Sequence, residues 1–176
     1  MTDPAPVSIV VGNPRAGSRT RTVGEAVARR VVDATGLDAV EPFGVVELAD
    51  LGPSLFDWSS PAVKAQVEAL SASRLAVIAT PVYKATYTGL LKSFLDWFGQ
   101  TGLAGVTVVP VMVGAAPQHA LAVEVHLRPL LVEIGATVPS RGLYVLEDQL
   151  DDLDATIDAW LERSLPYLRA GLGIAT

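Results

Sequence analysis

Hydrophobic positions along the chain form short unbroken runs, separated by longer stretches in which apolar residues recur at helical spacing. The runs are Val7–Gly12, Val45–Leu48, Leu75–Thr80, Val106–Val113 and, more faintly, Gly142–Leu146, all rich in branched or aliphatic residues. The first, third and fourth are apolar almost throughout, the pattern of central parallel strands covered on both faces. Between them lie amphipathic stretches that predict helices over Thr20–Ala34, Pro61–Ser73, Thr88–Phe98, Gln118–Gly135 and Leu150–Arg169. Ser60 ahead of Pro61 reads as an N-cap followed by proline at the first helical position. Strand and helix in strict alternation predict right-handed βαβ units and a doubly wound sheet. No repeat, low-complexity tract or linker interrupts the pattern, so residues 1–176 read as one domain, with Met1–Pro6 as a loose tail.

In open sheets of this kind ligands bind beyond the carboxyl ends of the strands, near the switch in strand order. The loops expected there are Gly12–Thr20, Thr80–Thr88 and Gly114–Gln118. The first contains "GNPRAGSRT". It has the glycine separation of a Walker A loop, but Ser18 and Arg19 stand where lysine and a magnesium-binding hydroxyl are required. The dinucleotide fingerprint also fails, because Pro14 stands where the second glycine must let the backbone approach the pyrophosphate. What remains suits a terminal monophosphate. The helix start offers backbone N–H groups and a favourable dipole, Ser18 and Thr20 offer hydroxyls, Asn13 an amide and Arg15 a forked cation. The plainer alternative is an ordinary βα loop with a serine cap and solvated arginines.

The second loop opens "ATPVYKATYTGLLKSFLDWF", Ala79–Phe98. Tyr83 and Tyr87 can pack on a flat ring system while keeping a polar contact, Gly89 lets a helix begin near a ligand, and Lys92 follows on its first turns. Alternatively the tyrosines only plug the gap between sheet and helix. In the fourth helical stretch Pro129 lacks the N–H that would pair with the carbonyl of Val125, which predicts a kink or a π-bulge.

Composition narrows the classes. The net charge of −6 leaves no broad cationic surface for nucleic acid or an anionic membrane, so any anion site is local. The absence of cysteine excludes a disulfide scaffold and thiolate chemistry, and fits a cytoplasmic protein. The amino terminus has no basic n-region, and no apolar run is long enough to span a bilayer. His119 and His126, without clustered carboxylates, make no metal site. Asp151, Asp152 and Asp154 suit a helix N-terminus. No nucleophile–base pair stands out, so no catalytic side chain is assigned.

Taken together, "GNPRAGSRT" and "TPVYKATYTGLLKSFLDW" resemble the phosphate loop and ring loop of the NADPH-dependent FMN reductases of the flavodoxin-like superfamily. The likeness runs from about Ser8 to Val145 and is nearest to the reductase components of alkanesulfonate monooxygenase systems. It implies a three-layer, doubly wound flavodoxin-like sandwich with a five-stranded parallel sheet, which also suits the strand count. It implies FMN and NADPH (or NADH), with hydride passing from nicotinamide to flavin. Asn13, Arg15, Ser18 and Thr20 would then hold the FMN phosphate. Pro81, Val82, Tyr83 and Lys84 would contact the isoalloxazine ring, largely through backbone groups, and Gly114 and Ala115 would close its other side. Asn13 and Thr20 depart from the commoner Ser and Asn, and "VGAAPQH" lacks a frequent Gly-Gly pair. The resemblance further implies a homodimer or homotetramer, an interface role for the helix around Val125 and His126, and a monooxygenase partner if reduced flavin leaves. A quinone, azo or metal-ion reductase with tightly held FMN, a flavodoxin-type electron carrier and a phosphate-binding regulatory domain are the alternatives.

Overall fold

The computed structural model of the chain describes residues 7–175; the tail expected over Met1–Pro6 lies outside them. Five strands, β1 (Val7–Val11), β2 (Gly44–Glu47), β3 (Leu75–Pro81), β4 (Thr107–Gly114) and β5 (Leu143–Leu146), form one sheet. All neighbours pair parallel in the order β2-β1-β3-β4-β5. This is the doubly wound flavodoxin-like order, with the topological switch between β1 and β3. Every residue of β1 and β4 is buried, the consequence of their unbroken apolar sequences.

The helices are α1 (Arg19–Thr35), α2 (Leu48–Leu51), α3 (Pro61–Ser71), α4 (Gly89–Leu95), α5 (Arg128–Glu133) and α6 (Leu153–Gly171). They cover the sheet on two faces. Val23, Val27, Ile157 and Leu161 of α1 and α6 pack with Ile9, Val77 and Val111. Val63, Leu91, Phe94 and Leu131 of α3, α4 and α5 pack with Val10, Ile78 and Met112 on the other side. Alternating strand residues thus feed two separate apolar layers. Ser18, Ser60 and Thr88 cap α1, α3 and α4, each accepting the backbone N–H three residues on.

Three expectations need correction. The helix read over 118–135 is not continuous. A 3₁₀ turn at Pro117–His119 precedes a π-helical turn at Val123–Leu127, and α5 begins only at Arg128. The π turn takes up the extra residue just where Pro129 withdraws its N–H, so the bulge predicted from the proline is present. The helix read over 88–98 stops at Leu95, with Asp96 as its C-cap. The last helix starts at Leu153, after a 3₁₀ segment spanning Glu147–Asp152. Asp154 sits in its first turn, as the dipole favours, while Asp151 and Asp152 lie ahead of it. The short α2 and the 3₁₀ segment Gly52–Phe56 lack any periodic signal, being brief and broken by Gly52 and Pro53.

Candidate functional site

All three predicted loops leave the carboxyl edge of the sheet, following β1, β3 and β4. Threonines join the first two. The Thr88 hydroxyl donates to the Gly12 carbonyl at 2.6 Å and accepts the N–H of Leu91 at 3.1 Å. The Thr88 N–H reaches Thr80 Oγ1 at 3.3 Å. Thr80 and Thr88 are both buried. A side chain at Gly12 would put its Cβ 2.9 Å from that of Leu91, so glycine is required where the first loop passes over α4.

Within the first loop Asn13 bridges both ends. Its Oδ1 accepts the N–H of Arg15 at 2.9 Å, and its Nδ2 donates to Thr20 Oγ1 at 3.1 Å. Asn13 and Thr20, which the sequence marks as anion ligands, are therefore brought together, with Thr20 buried beneath Asn13. Gly17 takes a left-handed φ of 63°, turning the chain into Ser18, whose hydroxyl accepts from Arg21 N. Helix geometry leaves the N–H groups of Arg19 and Thr20, at the start of α1, without an upstream helical carbonyl, whereas those of Arg21 and Thr22 reach Ser18.

The three arginines of this region divide by their partners. Arg19 pairs with Glu147 at 3.3 Å, and Arg21 is held by Glu25 at 2.7 Å and Glu47 at 3.2 Å. Those contacts, the Glu25 hydrogen bond first and then Glu47, raise the Arg21 guanidinium above its ordinary value. Among the described residues Arg15 has no carboxylate partner, and it is exposed. Arg15 is thus the one of the three without a carboxylate of its own among the described residues.

The second loop contains a tight turn that the sequence does not advertise. Tyr83 N–H donates to the Thr86 carbonyl at 2.9 Å and Thr86 N–H returns to Tyr83 at 3.2 Å. Between them Lys84 and Ala85 have φ of 52° and 66°. Two successive left-handed residues are the mark of a type I′ turn, a conformation that Asn-Gly adopts cheaply and Lys-Ala does not. Strain of this kind persists where the surroundings impose it and gathers at functional loops. Val82 N–H is tied to the Val113 carbonyl at 2.8 Å, fixing the turn to the end of β4. Tyr83 is half exposed, whereas Tyr87 packs against the core as a gap filler. Lys92 pairs with Asp96 on the surface of α4, and Gly89, the first residue of that helix, has open space beside its Cα.

The third loop is set by Tyr144 of β5. Its hydroxyl donates to the Ala116 carbonyl at 2.7 Å. It also fills the space above Gly114, where an added Cβ would stand 2.2 Å from Tyr144 Oη and 3.2 Å from Val82. Burial raises the Tyr144 phenol above its ordinary value of 10.0. Between the second and third loops lies a cavity of about 370 Å³ lined by Val82, Lys84, Ala85, Ala115, Ala116 and His119. Pro81 precedes it at the end of β3. His119 thus faces the cavity, while His126 is exposed on the π turn away from it. A larger groove of about 1150 Å³ flanks β5 between the π turn and α6, and contains no residue of the three loops, although Tyr144 in its lining also reaches the third loop.

The sequence missed Glu47, Thr80, Thr88 and Tyr144, each of which positions a loop. Thr80 and Thr88 bracket the second loop, a signal that spacing alone offered. Glu47 bonds Gly17 across 30 residues and Tyr144 bonds Ala116 across 28, separations that no local pattern reveals. Among the described residues no His, Asp and Glu side chains gather three together as for a metal, and no helix is long and apolar enough to cross a membrane.

The chain is also similar to known proteins. Residues 6–151 match the family model described as NADPH-dependent FMN reductase. The FMN reductase (NADPH) of Escherichia coli K12 is 34% identical over 83% of this chain and 75% of its own length. The NADH-dependent FMN reductase SfnF of Pseudomonas putida is 31% identical over 89% of this chain and 86% of its own. Among solved structures, the apo form of the NADH:FMN oxidoreductase EMOB superposes with a TM-score of 0.70. It is 27% identical, covering 97% of this chain and 90% of that one.

Proposed function

The chain belongs to the NADPH-dependent FMN reductase family, and from that premise we propose that its flavin is a substrate, bound oxidised and released reduced. The reaction is reduction of FMN by NAD(P)H. When bound, the flavin supplies the redox chemistry, accepting at N5 the hydride carried by nicotinamide C4. The names of the relatives divide between NADPH and NADH, and either donor carries the same hydride.

The residues present fit FMN. Arg15 and Ser18 receive the phosphate with the first amides of α1, while Asn13 and Thr20 brace the loop from within. The backbone of Pro81, Val82, Tyr83 and Lys84, held by the type I′ turn, would line one side of the ring. Gly114 and Ala115 would close the other side, with Tyr144 fixing their loop. These groups bind and orient; no side chain needs to move a proton, in keeping with the lack of a nucleophile–base pair. The whole chain acts as one FMN-binding unit.

The observation that carries the substrate reading is the openness of the phosphate loop. Arg15 stands exposed as its single uncommitted cation, with Arg19 and Arg21 already paired. Such a site grips a dianion moderately and exchanges it. A flavin-dependent monooxygenase that consumes reduced FMN is the partner this implies, in the cytoplasm where NAD(P)H is replenished. Leu121, Val125 and Val132 expose apolar side chains around the π turn and α5, which suits an interface in a homodimer or homotetramer.

Protein loaded with FMN and passed through a desalting column should emerge colourless, and should then reduce many equivalents of added FMN per chain with NADPH. Flavin that stays with the protein and is reduced only once per chain would instead make it a prosthetic group, as in a quinone or azo reductase.

A further inference from the structure

We propose that Glu47 is a positioning residue that sets how tightly the chain holds the flavin phosphate, bracing the first loop while its charge opposes the anion that the loop receives. The inference rests on the reading of that loop as the FMN phosphate site. Glu47 ends β2 beside Val11 of β1, at the edge from which the first loop departs. Its side chain is only 5% exposed. Oε1 accepts the N–H of Gly17 at 2.9 Å and Nη1 of Arg21 at 3.2 Å. Oε2 is buried and, among the described residues, has no partner.

Gly17 is the left-handed hinge that delivers Ser18 and the N-terminus of α1 to the phosphate. Anchoring its N–H therefore fixes the loop, but a neutral amide oxygen would accept that bond equally well. The charge is the part that the anchor does not need. It is also not cancelled: one guanidinium, Arg21, is shared between Glu25 and Glu47, so the three groups together remain negative. A buried carboxylate behind an anion site repels a dianion with less screening than a surface charge would meet. The loop is thereby well shaped for phosphate and yet holds it less tightly than its hydrogen bonds allow. That combination suits a flavin that must leave after each turnover.

The test is a titration of wild type, Glu47→Gln and Glu47→Ala with FMN and with riboflavin, which lacks the phosphate. Glu47→Gln keeps an acceptor for Gly17 and removes the charge. It should bind FMN tighter by roughly threefold to tenfold, the scale of one like charge at a partly screened site, and riboflavin unchanged. The KM for FMN should fall in step. Glu47→Ala removes the anchor and should bind FMN more weakly than wild type. Unchanged FMN affinity in Glu47→Gln, or an equal shift for both flavins, overturns the proposal. If wild type itself fails to prefer FMN over riboflavin, the phosphate-loop reading falls and takes this inference with it. Preference in wild type with no tightening in Glu47→Gln overturns the inference alone.

Discussion

Tyr144 and Gly114 show how a single contact across 30 residues shapes the third loop. The phenol occupies the volume that any side chain at Gly114 would need, and its O–H holds the Ala116 carbonyl. Burial favours the protonated phenol, so its folded pKa lies above its unfolded one. The stabilisation is then fully present below the unfolded value and is lost as pH rises through the folded value, because the native state retains a proton that the unfolded chain has released. Stability measured by urea unfolding should accordingly decline above about pH 10, and Tyr144→Phe should flatten that part of the decline. A Tyr144→Phe profile that parallels wild type throughout would mean that the phenol ionises alike in the folded and unfolded chains. The pairing was not legible in the sequence. Tyr144 reads there as one more apolar position in a weak strand, and Gly114 as a loop glycine, because the contact depends on the register of β4 with β5.

At the scale of elements, the strands were legible because continuous Val and Ile runs leave few alternatives to a buried parallel sheet, and each lies within a residue or so of its expected bounds. The fourth helical stretch was legible only as a break. Proline tells where a carbonyl is freed but not which neighbours then hold the bulge. The side chains that hold it are Glu124, inside the π turn, and Arg128, directly after it. Glu124 accepts the N–H of Gly142 at 2.6 Å, and Arg128 donates to the carbonyls of Ser140 and Val138, each at 2.5 Å. Together they bind the segment leading into β5 to the π turn, a tie between charged side chains and backbone that periodicity does not encode. Arg128→Ala leaves two carbonyls without their donor and should destabilise the fold by about 2–4 kcal/mol. Chemical denaturation would register it as a lower midpoint with an unchanged slope. A loss under about 0.5 kcal/mol, the range of ordinary surface changes, would show that water replaces the guanidinium freely. The type I′ turn at Lys84–Ala85 was illegible for the opposite reason: the usual signature is Asn-Gly, and here the turn is imposed by the ties of Tyr83 to Thr86 and of Val82 to Val113.

Across the whole molecule, an acidic chain places its three specialised loops at one edge of one sheet. The net charge of −6 leaves no general attraction for anions. The strand order brings the loops after β1, β3 and β4 to the switch point, where the start of α1 and Arg15 stand together. That placement follows from topology, and the alternation of strands and helices in the sequence already implied it. The fine balance of the site, with two arginines committed to carboxylates and one free, emerges only from packing. The account therefore turns on whether these loops present flavin to a nicotinamide. The most direct measurement is anaerobic rapid mixing of the FMN-equilibrated protein with NADPH, and separately with NADH, followed by the flavin absorbance. Fast bleaching with at least one donor, abolished or shifted to much higher FMN concentration in Arg15→Ala, is the predicted result. Flavin that binds but stays oxidised with both donors would contradict it.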